Sequence, residues 1–212
     1  MRLYLLTVFK CGAAMSKFNG KKTNNAKTSA KKDLRQGVLS QMKSARVLEV
    51  FCGAGEMYNS VWNGAESYLG IDKVKFFDKR KTICGDAMKA VSTIDLSEFN
   101  VFDIDAYGSP YDVLCVILDR IQGDKPEYGF CITDGVSMDL RLGRICKGIR
   151  QLTGIEHHVV KNSAIMHDEL ITAIINTVCN RLNSHVTHFR IANGKTGAAM
   201  KYYAFVIAKN AA

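Results

Sequence analysis

The 212-residue sequence predicts an α/β fold: a doubly wound, seven-stranded sheet, parallel except for an antiparallel last strand. Two observations carry this. From residue 46 onward, short apolar runs rich in β-branched residues alternate with helical periods, the pattern of βαβ units. Near the C-terminus two strand-like runs follow one another with only a loop between them, so they must pair antiparallel. The composition, 47% hydrophobic and 23% charged, is an ordinary globular balance, and two prolines exclude Pro-rich or collagen-like segments.

The elements follow in order. Arg46–Phe51 is a buried strand, Cys52–Gly55 a loop, and Glu56–Asn63 a helix stopped by Gly64. Ser67–Ile71 and Lys81–Cys84 are the second and third strands. Ala87–Leu96 is helical, and Asn100–Ile104 is the fourth strand. Ser109 then caps a helix running to about Gln122, with Pro110 at its first position, where a missing N–H costs nothing. Tyr128–Thr133 is the fifth strand and Ser137–Arg150 a helix. Asp168–Leu182 is the most regular helix, with Leu170, Ile171, Ile174, Ile175, Val178 and Leu182 at 3.6 spacing. His185–Ile191 and Lys201–Ala208 close the chain around the Gly-containing turn Asn193–Ala199.

Charge divides the chain. The net charge is +9, yet residues 1–46 hold eleven Lys and Arg against one acid, Asp33. The remainder is therefore close to neutral. Residues 16–33 are polar and Lys-rich and bury too little to offset their ordering entropy. Residues 1–42 thus read as a basic, disordered N-terminal arm and 43–212 as the folded domain. The arm is either a clamp on the phosphates of a nucleic acid or a solubilising tail. The apolar run Leu3–Phe9 is too short to span a membrane and lacks a clear cleavage site, and Met15 offers an alternative start. Seven cysteines without a Cys-x-x-Cys pair argue against a disulfide framework or a zinc cluster and for a reducing cytoplasm. His157-His158 reads as a pair without a metal role.

In an open parallel sheet, ligands bind beyond the carboxyl ends of the strands, near the switch in strand order. After the first strand comes Phe51-Cys52-Gly53-Ala54-Gly55, where glycine lets backbone N–H groups approach a ligand. Asp72 follows the second strand, placed to accept the two hydroxyls of a ribose. Asp86 with Ala87 follows the third, and Asp105-Ala106-Tyr107-Gly108 the fourth. Three acids beside a glycine loop suit a nucleoside with little negative charge. A dinucleotide fingerprint is excluded because its third glycine is absent, Tyr58 following Gly53-x-Gly55, and no complete Gly-x-x-x-x-Gly-Lys-Ser/Thr phosphate loop exists. Glu49, in the first strand, would repel a pyrophosphate but suits an ammonium reached through water.

These residues resemble the class I S-adenosylmethionine-dependent methyltransferases, whose Rossmann-like sheet ends in an antiparallel hairpin. Glu49 to Gly55 matches their acidic-x-x-x-Gly-x-Gly first motif over a resemblance covering residues 46–208. By that resemblance S-adenosyl-L-methionine is the cofactor. Glu49, Phe51, Gly53 and Gly55 hold its methionine part, Asp72 its ribose, and Asp86 and Ala87 its adenine. Asp103-Ile104-Asp105-Ala106-Tyr107-Gly108-Ser109-Pro110 is similar to the fourth motif of tRNA guanine-N2 dimethyltransferases, with Ala106 where that family has Pro. The similarity implies N-methylation of an exocyclic amine of a nucleic-acid base, in RNA ahead of DNA, with the basic arm holding the RNA. Asp105 and the Ala106 carbonyl would accept the two N–H bonds and help localise the nitrogen lone pair, an interaction specific to the transition state. Tyr107 would stack on the base or cover the cofactor. The large C-terminal substrate domain of those enzymes is missing. Cytosine C5 chemistry is disfavoured because Cys52 belongs to the cofactor loop and neither proline precedes a cysteine. The alternatives are a protein or small-molecule nucleophile, or a non-catalytic nucleic-acid-binding relative of the fold.

Overall fold

A computed structural model describes residues 28–161, 163–193 and 200–211. Its elements are helix α1 (Thr28–Gln41), strand β1 (Arg46–Val50), helix α2 (Glu56–Ser60) with a 3-10 turn at Trp62–Gly64, and strands β2 (Ser67–Asp72) and β3 (Thr82–Cys84). Helix α3 (Ala87–Thr93), strand β4 (Val101–Ile104), helix α4 (Tyr111–Arg120) and strand β5 (Glu127–Asp134) follow. Helices α5 (Ser137–Arg141), α6 (Lys147–Thr153) and α7 (His167–Arg181) lead to strands β6 (Ser184–Asn193) and β7 (Lys201–Lys209).

The seven strands form one sheet in the order β3-β2-β1-β4-β5-β7-β6. The pairs among β1 to β5 are parallel, whereas β7 runs antiparallel to both β5 and β6. The predicted fold class and closing hairpin therefore hold. The order turns back between β1 and β4, which makes their carboxyl ends the switch point.

Each face of the sheet carries its own apolar layer. On one side α3, α4, α6 and α7 pack Val91, Leu114, Ile117, Ile149, Ile171, Ile174 and Val178 against Leu48, Phe102, Phe130 and Phe205. The periodicity read over Asp168–Leu182 supplies this face, starting one residue earlier at His167. On the other side α1 and the α2 turn pack Leu34, Val38, Met57 and Trp62 against Val47, Val101, Cys131 and Val206.

Helix α1 corrects the extent of the arm. The segment expected to be disordered through residue 42 becomes helical at Thr28 and buries Leu34, Arg35 and Val38. Close approach explains the docking: a Cβ on Gly129 of β5 would lie 2.6 Å from Val38 Cγ1, so only glycine lets the helix rest there. Residues 1–27, and residues 194–199 where a turn is expected, lie outside the described residues.

Smaller differences have local causes. The expected helix Ser137–Arg150 is split into α5 and α6, because Gly143 turns at φ +75° and Arg144 forms an isolated bridge with Val159. Helix α4 begins at Tyr111 rather than at Pro110, and the Ser109 hydroxyl accepts the Tyr111 N–H at 3.3 Å.

Candidate active site

The loop after β1 is built from left-handed backbone. Phe51, Gly53 and Gly55 have φ of +67°, +48° and +82°. Glycine adopts this at little cost; Phe51 does so against its side chain, held by its N–H on Ile71 O at 2.8 Å. A Cβ on Gly53 would meet nothing within 4 Å, so the loop borders open space there. Asp72 closes the loop from β2, its carboxylate accepting Gly53 N at 2.8 Å and Val74 N at 2.9 Å. Each of those oxygens keeps a second lone pair for a hydroxyl. Asp86 is the N-cap of α3, accepting Lys89 N at 3.2 Å, with Lys73 Nζ at 3.4 Å. The Lys89 N–H and the Lys73 ammonium hold its carboxyl below the usual range. Ala87 starts α3 and is buried.

Sequence reasoning missed Arg80. Its guanidinium is buried and donates to Cys52 O at 3.3 Å, Gly53 O at 2.9 Å and Asp78 Oδ2 at 2.7 Å. The same guanidinium fills the space where a Cβ on Gly55 would stand, 2.6 Å away. Arg80 thus ties the β2–β3 loop to the carbonyl side of the glycine loop. Burial, with Glu49 nearby, pushes the Cys52 thiol up to about 11, so it remains a poor nucleophile at neutral pH.

Glu49 lies beneath the loop, 1% exposed, accepting the Tyr68 hydroxyl at 2.5 Å. Burial, and the negative charge of Asp103, push its carboxyl up to about 8. Asp103 is also buried. It takes a two-point contact from Arg35 of α1, Nε and Nη2 each at 2.6 Å, and the Trp62 indole N–H at 2.7 Å. Burial alone would lower the Arg35 guanidinium; the charges of Asp103 and Asp105 outweigh it and raise it.

Asp105 stands just past the end of β4, at the switch point, with its N–H on Val50 O at 3.1 Å. Its side chain is 19% exposed. Oδ1 accepts Lys31 Nζ at 2.5 Å, and Arg35 Nη2 lies 4.0 Å away. Against the penalty of burial, the Arg35 and Lys31 charges hold the Asp105 carboxyl below the usual range, so it is ionised at neutral pH and accepts only. The sequence offered this carboxylate to a ligand; an amine of the chain's own first helix engages it. Ala106 is buried, and Tyr107 is 71% exposed.

A second missed group sits at the end of β5. Asp134 is fully buried and accepts Val136 N at 2.9 Å, His167 Nε2 at 2.8 Å and the Tyr111 hydroxyl, to which the Tyr203 hydroxyl donates at 3.3 Å. Gly135 N on Gly108 O at 3.0 Å joins this cluster to the loop bearing Tyr107. An acid at the end of the fifth strand was visible in the sequence; its burial was not. With every carboxylate contact satisfied and no exposure, Asp134 holds the loop rather than meeting a ligand.

The arrangement fits a nucleoside carrying an ammonium better than a phosphate. Open space lies over Gly53, carboxylates stand at Asp72 and Asp86, and Arg80 is turned to the loop's carbonyls rather than to its N–H groups. No protein-family model and no curated protein matches the chain. Solved structures do match in fold. The N-methyltransferase NodS from Bradyrhizobium japonicum WM9, in complex with S-adenosyl-L-homocysteine, is 12% identical over 89% of this chain and 90% of its own, with a TM-score of 0.52. Magnesium protoporphyrin IX methyltransferase (ChlM) from Synechocystis PCC 6803, with bound S-adenosyl-L-homocysteine, is 8% identical over 91% and 90%, with a TM-score of 0.51. The chain has the Rossmann-like sheet of S-adenosylmethionine-dependent methyltransferases.

Proposed function

We propose that this chain is an S-adenosylmethionine-dependent N-methyltransferase acting on an exocyclic amine of a nucleic-acid base. One observation carries the reading: the Asp105 carboxylate, ionised at the switch point and one strand from the glycine loop, already accepts a hydrogen bond from a nitrogen, Lys31 Nζ. A base amine would take that place. The two fold relatives crystallised with S-adenosyl-L-homocysteine support the cofactor.

When bound, the cofactor supplies an electrophilic methyl group. The chain's residues would do the rest. The loop through Phe51, Gly53 and Gly55 would present backbone to the methionine part, Asp72 would accept ribose hydroxyls, and Asp86 with Ala87 would border the adenine. Asp105 would accept one N–H of the substrate amine and the Ala106 carbonyl the other. Drawing those hydrogens toward fixed acceptors frees the nitrogen lone pair from the ring as it attacks, which lowers the barrier rather than tightening the ground state. Tyr107 would pack on the base. NodS is named an N-methyltransferase and ChlM a magnesium protoporphyrin IX methyltransferase, so the base as substrate rests on the fourth motif and the Asp105 geometry.

Tritiated methyl transfer into total RNA, genomic DNA and protein, followed by nucleoside mass spectrometry, tests the reading. An N-methylated base is expected, and label confined to protein overturns it. Asp105→Asn should abolish transfer while S-adenosylmethionine binding, measured by calorimetry, stays close to wild type. Lys31→Gln should lower KM several-fold, since the incoming amine no longer displaces an ammonium and Arg35 still keeps Asp105 ionised. The occupation of Asp105 by Lys31 also favours a second reading, a non-catalytic relative in which this contact is permanent. Binding without turnover in both wild type and Lys31→Gln would select it.

A further inference from the structure

A second basic cluster lies in the domain itself, in the loop between β2 and β3. Residues 73–81 read Lys-Val-Lys-Phe-Phe-Asp-Lys-Arg-Lys, five cations and one acid. Arg80 is spent inward on Cys52 O and Gly53 O, and its guanidinium carbon lies 5.6 Å from the centre of the half-buried Phe76 ring. That pins the base of the loop. Phe77 is 89% exposed, with Lys75 Nζ 5.1 Å from its ring centre. Lys73, Lys79 and Lys81 of the same loop are exposed, Lys73 lying 3.4 Å from Asp86.

The loop's position matters. It leaves the carboxyl end of β2, Tyr107 leaves that of β4, and β1 with the glycine loop lies between them. Two strand spacings separate the loop bases by about 10 Å. Exposed aromatics thus stand on both banks of the candidate cofactor site, one of them set among ammonium groups. An aromatic face for an unpaired base, with cations for the adjoining phosphates, is the combination that holds a single strand without reading its sequence.

We propose that residues 73–81 are a binding platform for single-stranded nucleic acid. Phe77 stacks on an unpaired base, and Lys75, Lys79 and Lys81 meet the backbone beside the nucleotide whose amine reaches Asp105. The inference rests on the proposed reaction for its register, and on the loop for its chemistry.

Fluorescence anisotropy of the full chain with labelled single-stranded RNA, single-stranded DNA and duplex, over a range of KCl concentrations, tests it. Phe77→Ala should weaken single-strand binding by about tenfold, within the span of one base stack, and leave the salt slope unchanged. The triple variant Lys75→Gln/Lys79→Gln/Lys81→Gln should reduce the slope of log K against log salt by about 2. A thermal melt confirms that each variant folds, as expected for exposed positions. Wild-type affinity in both variants, or no single-strand binding by the wild type, overturns the platform. The two readings fail separately. If the wild type methylates a nucleic acid and Phe77→Ala binds as tightly, the platform is wrong and the reaction stands. If binding depends on Phe77 but no methyl group is transferred, the platform stands and the reaction is wrong.

Discussion

Glu49 shows how one buried proton shapes the site. Its carboxyl, 1% exposed and facing Asp103, holds its proton up to about 8, whereas an unfolded Glu releases it near 4.3. The folded state therefore binds this proton more tightly. The contribution to stability is whole below about 4.3 and is lost as pH rises through about 8. Each pH unit in that window is worth at most ~1.4 kcal/mol. Gln keeps an acceptor for the Tyr68 hydroxyl and cannot ionise. Glu49→Gln should therefore raise the melting temperature over wild type by a margin that grows from pH 5 to 8 and then levels. A margin independent of pH would mean that Glu49 is ionised in the fold throughout. The same proton bears on cofactor binding. An ammonium recognised through Glu49 would be bound more tightly as pH rises and the carboxyl loses its proton.

At the scale of elements, helix α1 separates the part of the fold that was legible in the sequence from the part that was not. The β-strands were readable because Val47, Leu48 and Val50, or Phe130 and Ile132, are buried runs between glycines and acids. The first-motif loop and the three acids could likewise be found by inspecting the residues just past the end of each strand. Helix α1 was hidden because it buries only about one apolar side chain per turn, Leu34 and Val38, with Met42 just past its end, in a Lys-rich segment. Its remaining hold is ionic: Arg35 on Asp103, Lys31 on Asp105 and Lys32 on Glu56 at 2.7 Å. A charge count treats every Lys and Arg as facing water, so cations spent inside the fold read as an arm. Arg80 was obscured in the same way. The docking should depend on the buried pair. Arg35→Met leaves Asp103 without its partner and should cost about 3–5 kcal/mol in urea denaturation. Adding Asp103→Asn removes the stranded charge, keeps an acceptor for Trp62, and should restore most of the loss. Equal losses in single and double variants would show that the packing of the substituted side chain, not the charge, is at fault.

For the whole molecule, the question is where the basic excess does its work. Residues 1–27 hold Arg2, Lys10, Lys17, Lys21, Lys22 and Lys27 with no acid, and the next three cations that face the domain are paired. This divides the N-terminal segment at Thr28 rather than at residue 42, and the two cuts predict opposite results. Removing residues 1–27 takes away up to six charges and none of the described contacts. The melting temperature should stay within a degree or so of wild type, while the salt slope for single-stranded RNA should fall by up to about 4, at ~0.7 per phosphate neutralised. Removing residues 1–41 strips α1 as well. Val47, Val101, Cys131 and Val206 lose their cover, and Asp103 loses Arg35. That combination of exposed apolar surface and a stranded charge should lower the melting temperature by on the order of 10 °C or more, or prevent folding. An unchanged slope in the shorter truncation would leave residues 1–27 as a solubilising tail and pass the whole burden of holding a polyanion to the β2–β3 loop. A stable fold in the longer truncation would mean that α1 is dispensable and that Lys31 and Arg35 guard the site rather than build it.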